Sequence, residues 1–225
     1  MDGVVLGVHI TAGTVALAGA LVAVVSKTAD VSHRIHVLSG RAYVAAMAVV
    51  VVTALALALL RAGPVMLLIA LFSGYFVWAG WRLARNRRGT ATLAGRVAPW
   101  VMAAASVTML VWGIMAVSSG QSSGIIVIVF GVIGLLAVRD DLVRFRAGGV
   151  RGRERIAAHL GRMLGATIAT LTAVLVVNVN IEPQLIVWLG PTIVLLPVIL
   201  WWERRLRAGV RPRGMPPPSP ARASG

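Results

Sequence analysis

The chain has no cysteine, so it forms no disulfide and offers no thiolate to a metal ion or to nucleophilic catalysis. Charge is also scarce, because 13% of the 225 residues are charged and only 7 residues are acidic. Hydrophobic residues make up 58% of the chain, and the mean hydropathy is +0.87, well above the values of soluble domains. The 22 basic residues lie between apolar runs, which argues against a nucleic-acid partner and for a lipid bilayer.

Seven apolar runs predict an all-α polytopic membrane protein with a bundle of seven transmembrane helices. About 20 apolar residues in a helix cross a hydrocarbon core of roughly 30 Å. The predicted spans are Val4 to Ser26, Val37 to Leu60, Pro64 to Ala84, Arg96 to Val117, Ile125 to Val138, Ile156 to Val179 and Leu185 to Trp202. The fifth run is the shortest, because Arg139 ends it, and a core or re-entrant helix is the alternative there.

Basic residues alternate between connections and predict the orientation. Arg61 is the only basic residue in the second, fourth and sixth connections, so 22 minus 1, or 21, fall on the other side. The positive-inside rule then predicts an outside N-terminus and a cytoplasmic C-terminus in the cytoplasmic (inner) membrane. Asp2 gives the chain an acidic start, so we expect the first run to be a retained span rather than a signal peptide.

The predicted domain organisation is a transmembrane domain over residues 1–206 and a cytoplasmic tail over residues 207–225. The tail is rich in Pro, Gly, Arg and Ser, a composition that buries too little apolar surface to become ordered, so we expect it to be disordered. Residues 139–155 carry charges of both signs and are predicted to form a cytoplasmic loop or a short interfacial helix.

Polar side chains inside the predicted spans are the candidates for function, because such groups are costly in hydrocarbon. The candidates are His9, His36, His159, Tyr75, Arg41, Arg162 and Asn178. No acidic residue is predicted within a span away from the helix ends. His9 lies in the outer half of the first span, roughly 25 Å from its cytoplasmic end at a rise of ~1.5 Å per residue.

The other two histidines among these candidates form one possible pair. His36 opens the second span and His159 lies near the start of the sixth, so both are expected near the cytoplasmic face. Two neutral imidazoles on different helices are typical ligands of a haem iron. The sequence therefore favours a b-type haem (haem b) for electron transfer, bound by His36 and His159.

Neighbouring residues fit this hypothesis. Gly40 shares the helix face of His36 and leaves space for a flat macrocycle or for another helix. Arg41 and Arg162 lie one turn further in, where they are expected to pair with haem propionates. For His9, the small residues on its face favour helix packing with a hydrogen bond between helices.

Three other interpretations stay open. The histidines are structural if they only bond backbone carbonyls. In a small-molecule or ion permease, they line a polar path with Tyr75 and Asn178. In a non-catalytic membrane scaffold, the basic loops bind a partner or anionic lipid at the cytoplasmic face, where a redox partner is also possible. The motifs of hydrolases and of phosphate-binding loops are absent, and the sequence does not decide whether the chain is an enzyme.

Four segments resemble a bacterial family of predicted membrane proteins, domain of unknown function 2306. These are HITAGTVALAGAL, HVLSGRAYVAAM, YFVWAG and RIAAHLGRMLGATIATLTAVLVVN, and the likeness covers most of residues 9–180. The family pattern has histidines that match His9, His36 and His159. A Lys-Gly usually precedes the second histidine, whereas here Lys27 is followed by TADVSHRI. The resemblance implies a membrane location and a helical fold, but no function.

Overall fold

The computed structural model describes residues 2–90 and 92–209, and within these ranges every regular element is a helix. The helices are α1 (Asp2–Thr28), α2 (His33–Leu57), α3 (Gly63–Arg85), α4 (Leu93–Ser118), α5 (Gly124–Arg146), α6 (Gly152–Asn178) and α7 (Leu185–Arg207). A π-helical turn, Ala58–Ala62, follows α2. The predicted all-α fold is confirmed. Of the predicted tail, residues 210–225 lie outside the described residues.

Six of these helices, all but α5, are long and apolar enough to cross a membrane. This is the architecture of a multi-pass membrane protein. Helix α5 differs because its apolar run ends at Val138 and is followed at once by Arg139, Asp140 and Asp141. Its 23 residues nevertheless extend for about 34 Å at ~1.5 Å per residue.

The connection after α5 is much shorter than the sequence predicts. Residues 139–155 are not a loop, because α5 continues to Arg146 and α6 begins at Gly152. An ion pair between Arg144 and Asp140, one turn apart, stabilises this charged extension of the helix. Gly148 and Gly149 follow with φ of +78° and +92°, a conformation that glycine adopts without strain.

The helices pack up and down, and four of them form a closed arrangement. Helix α1 packs against α2, α2 against α3, α3 against α6, and α6 against α1. We call this set the four-helix ring; in it, α2 and α6 lie opposite each other. Helices α4 and α5 pair with each other and pack against α3, and α7 packs along α6 and also contacts α5.

Glycines bring several of these helices into close contact. A Cβ on Gly19 of α1 would lie 3.2 Å from the backbone of Tyr43 in α2. Between α4 and α5, a Cβ on Gly113 would lie 2.8 Å from the carbonyl oxygen of Gly124. Small residues at such positions let helix backbones approach each other, which is the main source of packing between helices in lipid.

Arginines gather at one end of the bundle, which we call the basic end. It comprises the connections after α1, α3 and α5, as far as the structure describes them, the adjoining helix turns and the end of α7. Arginine–tryptophan stacks at this end are Arg82 on Trp78, Arg85 on Trp81 and Arg205 on Trp201, with distances to the ring centroids of 5.3, 5.1 and 4.8 Å. Basic and indole side chains in this combination are typical of a membrane–water interface.

Candidate functional site

The imidazole of His36 is half-buried in the first turn of α2 and points at α1. Its Nδ1 lies 2.9 Å from the carbonyl oxygen of Ala23. A carbonyl oxygen only accepts hydrogen bonds, so Nδ1 carries the proton and donates it. In the neutral ring, Nε2 is then unprotonated and keeps its lone pair for a ligand.

His159 repeats this arrangement on the opposite helix of the ring. Its Nδ1 lies 2.9 Å from the carbonyl oxygen of Gly80 in α3, so the same reasoning leaves Nε2 with a lone pair. A bond from Nδ1–H to a backbone carbonyl is the usual way in which proteins orient a metal-ligating histidine. A histidine with only a structural role would make the same hydrogen bond.

The two imidazoles lie at the same end of the ring, His36 in the first turn of α2 and His159 two turns into α6. Gly40 lies one turn from His36, and a Cβ placed on it would meet no atom within 4 Å. Space therefore remains beside His36. Towards the middle of the ring, Tyr43 and Met47 are fully buried, and the Met47 sulfur lies 3.4 Å from the Thr170 hydroxyl of α6.

The two arginines that the sequence predicts as propionate partners point elsewhere. Arg41 is exposed, and five residues at about 100° each place it roughly 140° around α2 from His36. Arg162 is 7% exposed and points at α5. Its Nη2 lies 2.9 Å from Asp141 Oδ1 and donates to the carbonyl oxygen of Ala137 over 2.7 Å.

A buried polar group joins three of the helices and includes two acidic residues that the sequence analysis did not single out as candidates. We call this group the ion-pair cluster; its members are Tyr75, Asp140, Asp141, Arg144 and Arg162. Asp141 is only 5% exposed. Its Oδ2 accepts a hydrogen bond of 2.6 Å from the Tyr75 hydroxyl, and its Oδ1 faces Arg162.

The outer part of the cluster is more accessible. Asp140 Oδ2 lies 2.6 Å from Arg144 Nη1 and 3.3 Å from Arg162 Nη2, with 38% of its side chain exposed. Two acidic and two basic side chains thus neutralise one another. The cluster connects α3, α5 and α6 beside the basic end, and its buried charges are compensated as buried charges must be.

A pattern in the sequence pointed to part of this cluster. Asp140, Asp141 and Arg144 have the spacing of one helix face, but the charges that surround them are equally typical of a loop. Tyr75 was a candidate from sequence, as a companion of Asn178 in a polar path. The structure separates these two, because Asn178 is exposed and donates to the carbonyl oxygen of Val174 in its own helix.

His9 lies towards the opposite end of the ring. Its Nδ1 is 2.9 Å from the Thr53 hydroxyl oxygen of α2. The Thr53 hydroxyl donates its own proton to the carbonyl oxygen of Val49, so His9 is the donor to Thr53. This is the hydrogen bond between helices that the sequence predicts for His9.

No protein-family model, curated protein or solved structure matches this chain. The resemblance to domain of unknown function 2306 therefore stays a prediction, and the site is interpreted from its own geometry.

Proposed function

We propose that this membrane protein binds one haem b at the basic end of the four-helix ring, with His36 and His159 as the axial ligands. The observation that carries this proposal is the matched state of the two histidines. They come from opposite helices of the ring, and each donates Nδ1–H to a carbonyl of a neighbouring helix. Both Nε2 atoms are therefore left as electron-pair donors.

A haem fits this donor set better than a bare metal ion does. Structural zinc sites need four ligands and catalytic sites need three from the protein. Within residues 2–90 and 92–209, no group of three or more His, Asp or Glu side chains is arranged to hold a metal. A haem needs only two axial ligands from the chain, because its macrocycle supplies the other four nitrogens to the iron.

The chain's own residues have separate roles in this proposal. The carbonyl oxygens of Ala23 and Gly80 fix the two imidazoles. If a haem is bound, Gly40 would leave room beside His36, and the buried Tyr43 and Met47 would bound the site on its inner side. Arg162 stays with Asp141 and so takes no part in propionate binding. A bound haem b supplies one-electron chemistry, and electron transfer at the cytoplasmic face is the activity that we propose.

We also propose that all seven helices span the cytoplasmic membrane, with the N-terminus outside. The basic end supports a cytoplasmic position for the connections after α1, α3 and α5. Helix α5 is long enough to cross, and ion pairs with Arg162 compensate its buried charges.

Reporter fusions at Gln121 and Gly148 test this topology, because the proposal predicts an outside signal at Gln121 and a cytoplasmic one at Gly148. Reporter signals from the same side of the membrane at both positions would show that α5 does not span it.

A reduced-minus-oxidised visible spectrum of the detergent-purified protein, expressed with added haem precursor, tests the haem proposal. We expect a low-spin b-type spectrum for the wild type and for His9→Ala. His36→Ala and His159→Ala are expected to abolish that spectrum. Free imidazole should restore a low-spin spectrum to His159→Gly, since it replaces the missing ligand in the same place.

A flat wild-type spectrum would eliminate the haem and leave the carbonyl bonds as the whole role of the two histidines. A spectrum that survives His36→Ala with His159→Ala in one chain would eliminate this ligand pair. The loop variant Arg151→Gln controls for changes at the basic end, because the hydrogen bond of the Arg151 side chain goes to the carbonyl oxygen of Arg88 and to neither histidine.

A second candidate function, a proton-coupled permease, is favoured by one observation. Asp141 is a buried acid bonded to Tyr75 and Arg162, and ionisable groups at such positions commonly mark proton or ion pathways. Proteoliposomes loaded with a pH-sensitive dye test it by proton flux under an imposed gradient. This candidate predicts flux in wild type and its loss in Asp141→Asn, without any visible spectrum.

A further inference from the structure

A groove runs along the lipid-facing side of the bundle between α2, α3 and α4. Its volume is about 470 Å³, and its lining includes Leu71, Gly74, Tyr75, Trp78, Ala94 and Val97. The lining is almost entirely apolar. Val97 is 49% exposed and Ala94 is also exposed, so the groove opens sideways towards the hydrocarbon of a bilayer.

One end of the groove carries a positive charge. Arg82 lies one helical turn beyond Trp78 and stacks on its ring at 5.3 Å. A Cβ on Gly95 of α4 would lie 3.2 Å from Arg82 Nη1, so the guanidinium crosses from α3 to α4. Its Nε is buried and has no hydrogen-bond partner within the described part of the chain.

We propose that this groove binds an anionic phospholipid of the cytoplasmic leaflet, with one acyl chain along the groove and the phosphate on Arg82. The apolar lining matches an acyl chain, and the stacked guanidinium supplies charge-assisted hydrogen bonds to phosphate oxygens. Basic pockets between helices on the cytoplasmic side are typical headgroup sites. Arg85 and Arg96, at the same end, add positive charge that favours a lipid with net negative charge.

The choice of an anionic lipid over a zwitterionic one follows from charge balance. Phosphatidylcholine has the same phosphate but also a cation, which the arginines at this end repel. Phosphatidylglycerol lacks that cation. A juxtamembrane arginine contributes about fivefold in preference for anionic lipid at an attraction of roughly 1 kcal/mol. This site is independent of the proposed haem, because its residues do not include His36 or His159.

Native mass spectrometry of the full chain, released from bilayer nanodiscs that contain equal amounts of phosphatidylglycerol and phosphatidylcholine, tests the proposal. We expect retained phosphatidylglycerol to exceed phosphatidylcholine about fivefold in wild type. Arg82→Gln should lower this ratio, and the preference that remains is the contribution of Arg85 and Arg96. Ala94→Phe, which places a ring in the open side of the groove, should remove the retained lipid of both kinds.

Arg205→Gln is the matched control, since Arg205 also stacks on a tryptophan one turn before it but lies on α7, away from the groove. It should keep the wild-type ratio. Equal retention of both lipids by wild type, or equal losses in Arg82→Gln and Arg205→Gln, would overturn the proposal. Circular dichroism of each variant verifies that the helices are intact, and Ala94→Phe at an exposed position keeps the test decisive if Arg82→Gln fails to fold.

Discussion

The histidine pair and the ion-pair cluster are both polar groups near the basic end, but their bonding differs. In the cluster, Asp141 is bonded to Tyr75 and Arg162, so its two oxygens are both used within the chain. In the pair, His36 and His159 each use one nitrogen on a backbone carbonyl and leave the other available. The comparison separates a carboxylate whose two oxygens are both bonded within the chain from two imidazoles that each have one nitrogen without a bond to the chain.

This difference has an energetic counterpart. Removing one member of a buried, mutually bonded cluster leaves its partner charged and desolvated, which is strongly unfavourable. Removing a histidine that donates to one backbone carbonyl leaves behind only an uncharged acceptor, whose loss of one hydrogen bond costs less than a buried unpaired charge. We therefore expect cluster variants to lose stability and pair variants to lose ligand binding.

The largest effect is expected for Asp141→Asn. It leaves the Arg162 guanidinium buried without its principal counter-ion, a change that costs about 3–5 kcal/mol. Thermal unfolding in detergent, followed by tryptophan fluorescence, measures it. Asp140→Asn is the comparison variant, and we expect a smaller loss there because the Asp140 side chain is 38% exposed and Arg144, its partner at 2.6 Å, keeps Asp141 at 3.6 Å. Equal losses would contradict the assignment of Asp141 as the centre of the cluster.

A smaller effect is expected for Tyr75→Phe. This change removes the 2.6 Å hydrogen bond to Asp141, and hydrogen bonds to charged groups contribute about 1.5–3 kcal/mol. Tyr43→Phe is the control, because the Tyr43 hydroxyl is buried but has no hydrogen-bond partner among the described residues. Its loss should leave the free energy of unfolding nearly unchanged. If both variants were equally destabilised, the contribution of Tyr75 to stability would come from the packing of its ring and not from the hydrogen bond.

The histidine pair should behave differently in the same assay. His36→Ala and His159→Ala remove one neutral hydrogen bond each, so we expect the ligand-free protein to lose about 1 kcal/mol. The same variants should lose all haem binding. A loss of 3 kcal/mol or more in the ligand-free protein would place these histidines with the cluster, as structural residues.

The smallest effect is expected for His9→Ala. Hydrogen bonds between helices in lipid contribute about 0.6 kcal/mol on average, and His9 makes one of them, to Thr53. Thr53→Val should give a similar loss, and the double variant should add nothing further if this bond is what each change removes. Losses that add independently would show that the two side chains act separately.

The helices and the hydrogen bond of His9 were predictable, because each depends on a local pattern. Long apolar runs give the helices, and the small residues around His9 indicate a packed face. The extension of α5 to Arg146 was not predictable in the same way. Arg139, Asp140 and Asp141 look like a solvated loop until Arg162 of another helix compensates them, and that partner is known only from the tertiary packing.

The candidate site shows the same limit. The number and direction of the predicted spans place His36 and His159 at the same end of the bundle, because both lie near the start of helices that begin on the basic side. The direction in which a long side chain points does not follow from the sequence. Arg162 and Arg41 were expected to face the pair, but packing directs one at Asp141 and leaves the other exposed.

A haem titration of the purified ligand-free protein tests the central claim most directly, with absorbance as the signal. Wild type is predicted to saturate at one haem per chain with a low-spin spectrum, and Asp140→Asn should do the same. His36→Ala with His159→Ala should show only the spectrum of free haem in detergent. Saturation of that double variant at one haem per chain, or no saturable binding by wild type, would contradict the account.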